Sequence, residues 1–251
     1  MHTFSDVHIE ICTDSVAGVL AAEQGGADGA ELCANLVEGG TTPSFGNIVL
    51  SREQSSIEVA AMIRPRGGDF LYSRSEVEVM LRDIDAAKDA GAQAVVFGLL
   101  TADGRIDRER TQQLVERARP MLVTVHRAFD MTVDAFAALE TLIDLGVDRV
   151  LTSGQRAGVE QGLELLTKLV ESAGDHIRVM PGCGVTAQNI RNIVTTTGVR
   201  DIHFAARRRV PSEMEFRNPH VSMAAGPAAG EYELDVTEAN LVRGFVQALR
   251  G

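Results

Sequence analysis

The 251-residue chain is 45% hydrophobic and 24% charged, enough apolar material for one large core, and eight-fold β/α barrels reach this length as a single unit. A formal net charge of −11 excludes the basic footprint that a nucleic-acid surface needs. The start MHTFSDVHIEIC lacks the basic and apolar regions of a secretory leader, and no apolar run approaches the roughly 18 residues of a membrane span. With an odd count of three cysteines (Cys12, Cys33, Cys183) arguing against a disulfide framework, the expectation is a cytoplasmic protein with neither membrane nor nucleic acid as partner.

Taken in chain order, short apolar runs alternate with amphipathic stretches. Strands are expected near 7–12, 27–33, 58–64, 94–100, 121–127, 148–152, 177–181 and 201–205. Helices are expected near 14–25, 46–55, 75–90, 107–119, 132–145, 158–173, 186–196 and 237–250. Gly26-Ala27-Asp28, Gly91-Ala92-Gln93, Gly146-Val147-Asp148 and Gly198-Val199-Arg200 each follow a helix-like stretch and open an apolar run. Glycine suits that place because the residue after a helix often adopts the left-handed conformation. Ser75 and Glu78 have capping-box spacing, and Asp14, Thr132, Thr186 and Thr237 stand where N-caps are expected. Strict alternation implies parallel strands, and eight units imply closure, so the fold class is α/β: a single (β/α)8 TIM barrel over residues 1–251. An open doubly wound sheet accounts less well for eight similar units, and no GxGxxG follows the first strand. The connection after strand 8, 206–236, is long enough to be a lid or to be partly disordered.

In such barrels binding and catalytic groups come from the strand C-termini and the loops after them. Those positions hold Glu10 and Cys12, Glu31 and Cys33, Arg64 and Arg66 with Asp69, Thr124 and His126 with Asp130, Thr152 and Ser153, and His203. A period of two puts Glu10 with Cys12, Glu31 with Cys33, and Thr124 with His126 on one face, toward the barrel mouth. Any one of these can be a structural polar residue, but converging buried charges without function would be costly, so Glu10, Glu31, Arg64 and His126 are expected in one concave site. Glycine-rich loops follow strands 2, 3 and 7 (Glu38-Gly39-Gly40, Arg66-Gly67-Gly68, Pro181-Gly182-Cys183-Gly184). The last, with Gly182 and Gly184 before a helix start at Thr186, has the placement of an anion cradle that Arg207-Arg208-Arg209 could complete. Both features also suit ordinary turns and solvated loops. A hard-cation site from Glu10, Glu31, His126 and His203 is disfavoured by Arg64 in the same mouth, and three cysteines without CxxC spacing are more often packed hydrophobes than ligands.

At these motifs the chain resembles the CutC family. The resemblance is carried by Glu31-Leu-Cys-Ala-Asn-Leu36, Glu38-Gly-Gly40, Thr42-Pro-Ser44, Met62-Ile-Arg-Pro-Arg-Gly-Gly-Asp-Phe-Leu-Tyr72, Val95-Val-Phe-Gly98, His126-Arg-Ala-Phe-Asp130, Leu151-Thr-Ser-Gly154 and Met180-Pro-Gly182. It implies a cytosolic TIM barrel, a homodimer or higher homo-oligomer, and copper binding in copper homeostasis, with Cys12 and Cys33 matching cysteines proposed to hold Cu(I). The chain departs from a common triple glycine at Cys183, and the tail after strand 8 lies outside the match.

The residues themselves leave an alternative open: a lyase, isomerase or hydrolase acting on a small anionic, phosphorylated or sugar-like metabolite. Glu10 and Glu31 would then supply acid–base chemistry, His126 would move a proton while oriented by Asp130 or a neighbour, and Arg64 and Arg66 would clamp the anion. Asp69, Ser153, Gly182, Gly184 and His203 would complete the binding surface.

Overall fold

The alternation read along the chain becomes a barrel in the computed structural model, which describes residues 4–221 and 230–251. Eight strands, β1 (His8–Thr13), β2 (Gly29–Leu32), β3 (Glu58–Met62), β4 (Ala94–Phe97), β5 (Leu122–Val125), β6 (Arg149–Thr152), β7 (Arg178–Pro181) and β8 (Asp201–Phe204), form one parallel sheet. The hydrogen-bonded order runs from β7 back through β1 to β8, and β7 packs beside β8, so the barrel is nearly closed. Between the strands run α1 (Val16–Gly25), α2 (Phe45–Gln54), α3 (Arg74–Asp89), α4 (Arg108–Ala118), α5 (Ala135–Asp144), α6 (Leu163–Ala173) and α7 (Ile190–Thr197), with α8 (Ala239–Arg250) last.

The strands are buried on both faces, so apolar residues predominate in them. Ile9, Ile11, Ala30, Leu32, Val95, Phe97, Val123 and Ile202 point outward into one core shared with the helices. Cys33, Ala60, Met62, Ala94 and Val96 form a separate cluster inside the barrel. The alanines there keep the interior open enough for charged side chains from β1, β2, β6 and β8. All four glycines marked in the sequence have positive φ, from 70° to 92°, as helix C-terminal turns require.

Several cap assignments move. The capping box is Ser73 with Glu76, because the chain arrives extended at Ser73 and its hydroxyl, not that of Ser75, reaches the third helical N–H. Ser15 caps α1 instead of Asp14, and Asp134 caps α5 because Thr132 closes a 3-10 turn. Thr186 and Asn189 bond each other in a turn, so α7 begins at Ile190. Glu238 precedes α8, since Thr237 ends a strand.

The expected loop 206–236 is also corrected in part. It contains an antiparallel hairpin of β9 (Arg207–Pro211) and β10 (Glu233–Thr237), while 222–229 lie outside the described residues. Arg208 pairs with Glu238 at 2.7 Å and Arg209 with Asp235 at 3.0 Å, so these two members of the arginine triplet serve the hairpin rather than an anion cradle. Among the described residues no helix is long and apolar enough to cross a membrane.

Candidate functional site

On β1 the inward positions are His8, Glu10 and Cys12, and in register Glu10 faces His203 of β8 while Cys12 faces Glu31 of β2. His203 Nδ1 lies 2.7 Å from Glu10 Oε1, and its Nε2 lies 3.8 Å from Glu31 Oε2. The ring therefore sits between two buried carboxylates. Burial opposes charge on both partners, but the Glu31 and Glu10 carboxylates hold the His203 pKa well above the imidazole range, and the His203 bond holds Glu10 below the carboxylate range. Glu31 goes the other way: burial, then charge on Cys12, push its carboxyl well up.

Cys33 follows β2 and is fully buried, with Sγ 3.5 Å from Glu31 Oε2; Cys12 is half-buried. The two thiols are pushed in opposite directions. The contact with Cys33, helped by His203, draws Cys12 well below the usual thiol range, and the contact with Cys12, with burial, pushes Cys33 up.

Arg64, just beyond β3, is 5% exposed. The two glycine loops hold it: Nη1 donates to the carbonyls of Glu38 at 2.7 Å and Gly40 at 2.8 Å, and Nη2 to that of Gly68 at 2.9 Å. His126, after β5, is also 5% exposed, and its Nδ1 accepts the Ala128 N–H at 3.1 Å. Burial, followed by the charge of Arg64, lowers its pKa to about 3, so the ring is neutral with its proton on Nε2. Phe70 packs against both, 5.0 Å from the His126 ring and 5.2 Å from the Arg64 guanidinium carbon.

Cys12, Glu31, Arg64, His126 and His203 line one cavity of about 280 Å³, with Met62, Phe70 and Leu151 as apolar wall and Glu38 and Arg127 among its other residues. Glu10 lies behind, reaching it through His203. The expected convergence is found for Glu31, Arg64 and His126, while Glu10 stands behind the cavity wall.

Other expected members stand elsewhere. Asp130 does not orient His126: its oxygens accept from Thr152, Ser153, Gln155 and Arg127, tying the loop after β5 to the loop after β6. Ser153 belongs to that latch: its backbone N–H donates to Asp130 and its hydroxyl to the Arg156 carbonyl. Arg66 is bound to Glu76 at 2.6 Å and Asp69 at 3.0 Å, so both Arg66 and Asp69 fasten their own loop to α3. Gly182 serves the site by absence of a side chain, since a Cβ there would lie 3.3 Å from His203 Cδ2. Gly184 stands against Gly158, and the Thr186–Asn189 bonds occupy backbone groups expected to cradle an anion.

Two features escaped the sequence reading. Gly98 lets the His126 ring approach, because a Cβ would lie 2.7 Å from Nδ1. Arg149, at the start of β6, is buried among Glu58 at 2.5 Å, Asp201 at 3.5 Å and Glu10 at 4.0 Å. The barrel rule singles out strand C-termini, and Arg149 opens its strand at the other end.

The CutC family model matches residues 7–208. The chain belongs to the CutC family. A CutC family protein of Bacteroides fragilis is 48% identical over 241 residues, covering 96% of each chain. The human copper homeostasis protein cutC homolog is 50% identical over 235 residues, 94% of this chain and 86% of the relative. A solved CutC structure from Streptococcus agalactiae is 35% identical with a TM-score of 0.75, covering 79% of this chain and 98% of that one. The copper-homeostasis names among these CutC relatives favour that reading over the metabolite-enzyme alternative.

Proposed function

We propose that this CutC-family chain serves copper homeostasis by holding Cu(I) on Cys12 and Cys33, with Glu31 as the neighbouring carboxylate. The observation that carries the reading is that the two sulfurs and a Glu31 oxygen all lie within 4.8 Å of one another. Thiolates are soft donors and select Cu(I) over hard cations. The local chemistry fits: Cys12 is drawn toward thiolate, and Glu31 keeps Oε1 without a partner. Cys12 and Glu31 also line the cavity, so an arriving ion meets the more acidic of the two thiols. Copper here is cargo, and the human relative's name supports that role.

The same reading places the protein in the cytoplasm, where reduced cysteines persist. A homodimer or larger homo-oligomer is supported by the exposed Met131, Val133 and Phe136, whose apolar surface a second copy would cover.

The test is anaerobic titration of the reduced protein with Cu(I) against a chromogenic chelator. Uptake of about one equivalent is expected, and Cys12→Ser or Cys33→Ser should abolish it while the far-UV CD spectrum stays native. Undiminished uptake by the double variant would overturn the assignment.

A further inference from the structure

Copper on the thiols leaves two cavity groups unused. Arg64 is a buried cation whose bonds run to three backbone carbonyls rather than to a carboxylate among the described residues, and its Nε has no partner. Carbonyl dipoles fix the guanidinium in place without neutralising it, and a buried charge without a counter-charge carries a large desolvation penalty. His126 Nε2 is likewise buried and unpartnered, and because Nδ1 accepts the Ala128 N–H, Nε2 is the nitrogen that carries the proton. Two residues whose buried donors lack an acceptor thus line the cavity that holds Cys12.

We propose that Arg64 and His126 bind the carboxylate of a small monocarboxylic acid beside the thiol pair. This goes beyond the copper reading and does not depend on it. Charge selects the class. Arg127 is committed to Asp130 at 2.8 Å and His203 to Glu10 at 2.7 Å, so among the described lining residues Arg64 is the cation left to balance one negative charge, and a phosphate dianion would carry one charge more than it can neutralise. Shape agrees: about 280 Å³ is at the low end for ligand sites, and Met62, Phe70 and Leu151 offer an apolar wall to a short carbon chain. Preorganisation points the same way. Loop carbonyls fix Arg64, and Gly98, where a Cβ would meet Nδ1 at 2.7 Å, admits the His126 ring.

The test uses the reduced, metal-free protein and its Cys12→Ser variant, with acetate, glycolate, pyruvate and inorganic phosphate as probes in saturation-transfer NMR and thermal-shift titrations. At least one monocarboxylate should bind saturably to both proteins, more tightly than phosphate, and Arg64→Gln should weaken it at least about tenfold, equivalent to about 1.4 kcal/mol. Should Arg64→Gln fail to fold, His126→Phe, which keeps the ring and removes the N–H, is expected to weaken binding in the same direction. Binding by no monocarboxylate probe, preference for phosphate, or unchanged affinity in the folded variant overturns the proposal. Loss of binding in Cys12→Ser alone would do so too, because the site would then be the thiol and not the guanidinium.

Discussion

His126 is neutral for two reasons that act together: burial penalises its charged form, and the Arg64 guanidinium repels a proton. Its pKa of about 3 lies below the ordinary 6.5, so an unfolded chain takes up the proton first as pH falls. The stability tied to the neutral ring is complete above pH 6.5 and is lost as pH drops from 6.5 through about 3, by up to about 1.4 kcal/mol per pH unit. His126→Phe should therefore lose less stability than wild type between pH 6.5 and 4.5, read as urea midpoints. In the wild-type protein the His126 imidazole resonances should stay flat from pH 8 to 5. A titration midpoint near 6.5 would mean that water reaches the ring. At this scale the convergence of Glu31, Arg64 and His126, with Glu10 one layer behind, was legible, because a period of two and the barrel rule together fix which side chains face inward. The role of Asp130 was not. Its place four residues after His126 suggested a partner, but the 3-10 turn from Arg127 to Met131 carries it toward Thr152 and Ser153.

Among the elements, α3 separates reading from outcome most clearly. Ser73 and Glu76 form the reciprocal box, and Glu76, also bonded by Arg66, has its pKa drawn down to about 2 by the Ser73 backbone and side-chain bonds first. Ser73→Ala should cost about 1 kcal/mol, and Ser75→Ala should cost little, by thermal or urea unfolding. The contribution from Glu76 is present above pH 4.5 and fades as pH falls through about 2, so the gap between the two variants should narrow in acid. A larger loss in Ser75→Ala than in Ser73→Ala would place the cap at Ser75 instead. Strand and helix order could be read because burial on both faces and the glycine-marked helix ends leave strong local signals. Caps were misread because a cap depends on the direction in which the chain enters the helix, which spacing does not encode. The β9–β10 hairpin was missed for a related reason: Arg207–Pro211 and Glu233–Thr237 are largely exposed, so no buried face gives them a pattern. Gly98 was unreadable as well, since a close approach from another strand's loop leaves no trace in its own neighbours.

Across the whole molecule, one buried arginine ties together strands far apart in sequence. Arg149 of β6 meets Glu58 of β3, Asp201 of β8 and Glu10 of β1. Burial works against its charge, but Glu58 first, then Glu10 and Asp201, hold it protonated. Such a network is weak evidence for net stability, because an apolar core of equal volume can do as well. Removing one partner is another matter. Arg149→Met would leave three carboxylates without their shared cation, and a loss of about 3–5 kcal/mol is expected in urea unfolding at pH 7. Acid offers the check that separates charge from packing. Without the guanidinium the carboxylates take up protons more readily, and Asp201, already raised by burial, should do so early. The deficit of Arg149→Met should thus shrink between pH 7 and pH 5, whereas a packing defect would be the same at both. Glu10 carries the consequence into the cavity, since it pairs with His203 at 2.7 Å as well as lying 4.0 Å from Arg149. Freed from Arg149, Glu10 should bind the His203 proton more strongly and raise the histidine's pKa further, visible as an alkaline shift of its ring resonances. An unchanged His203 midpoint with an undiminished deficit at pH 5 would show that the network is packing alone, with no electrostatic link from the barrel interior to the site.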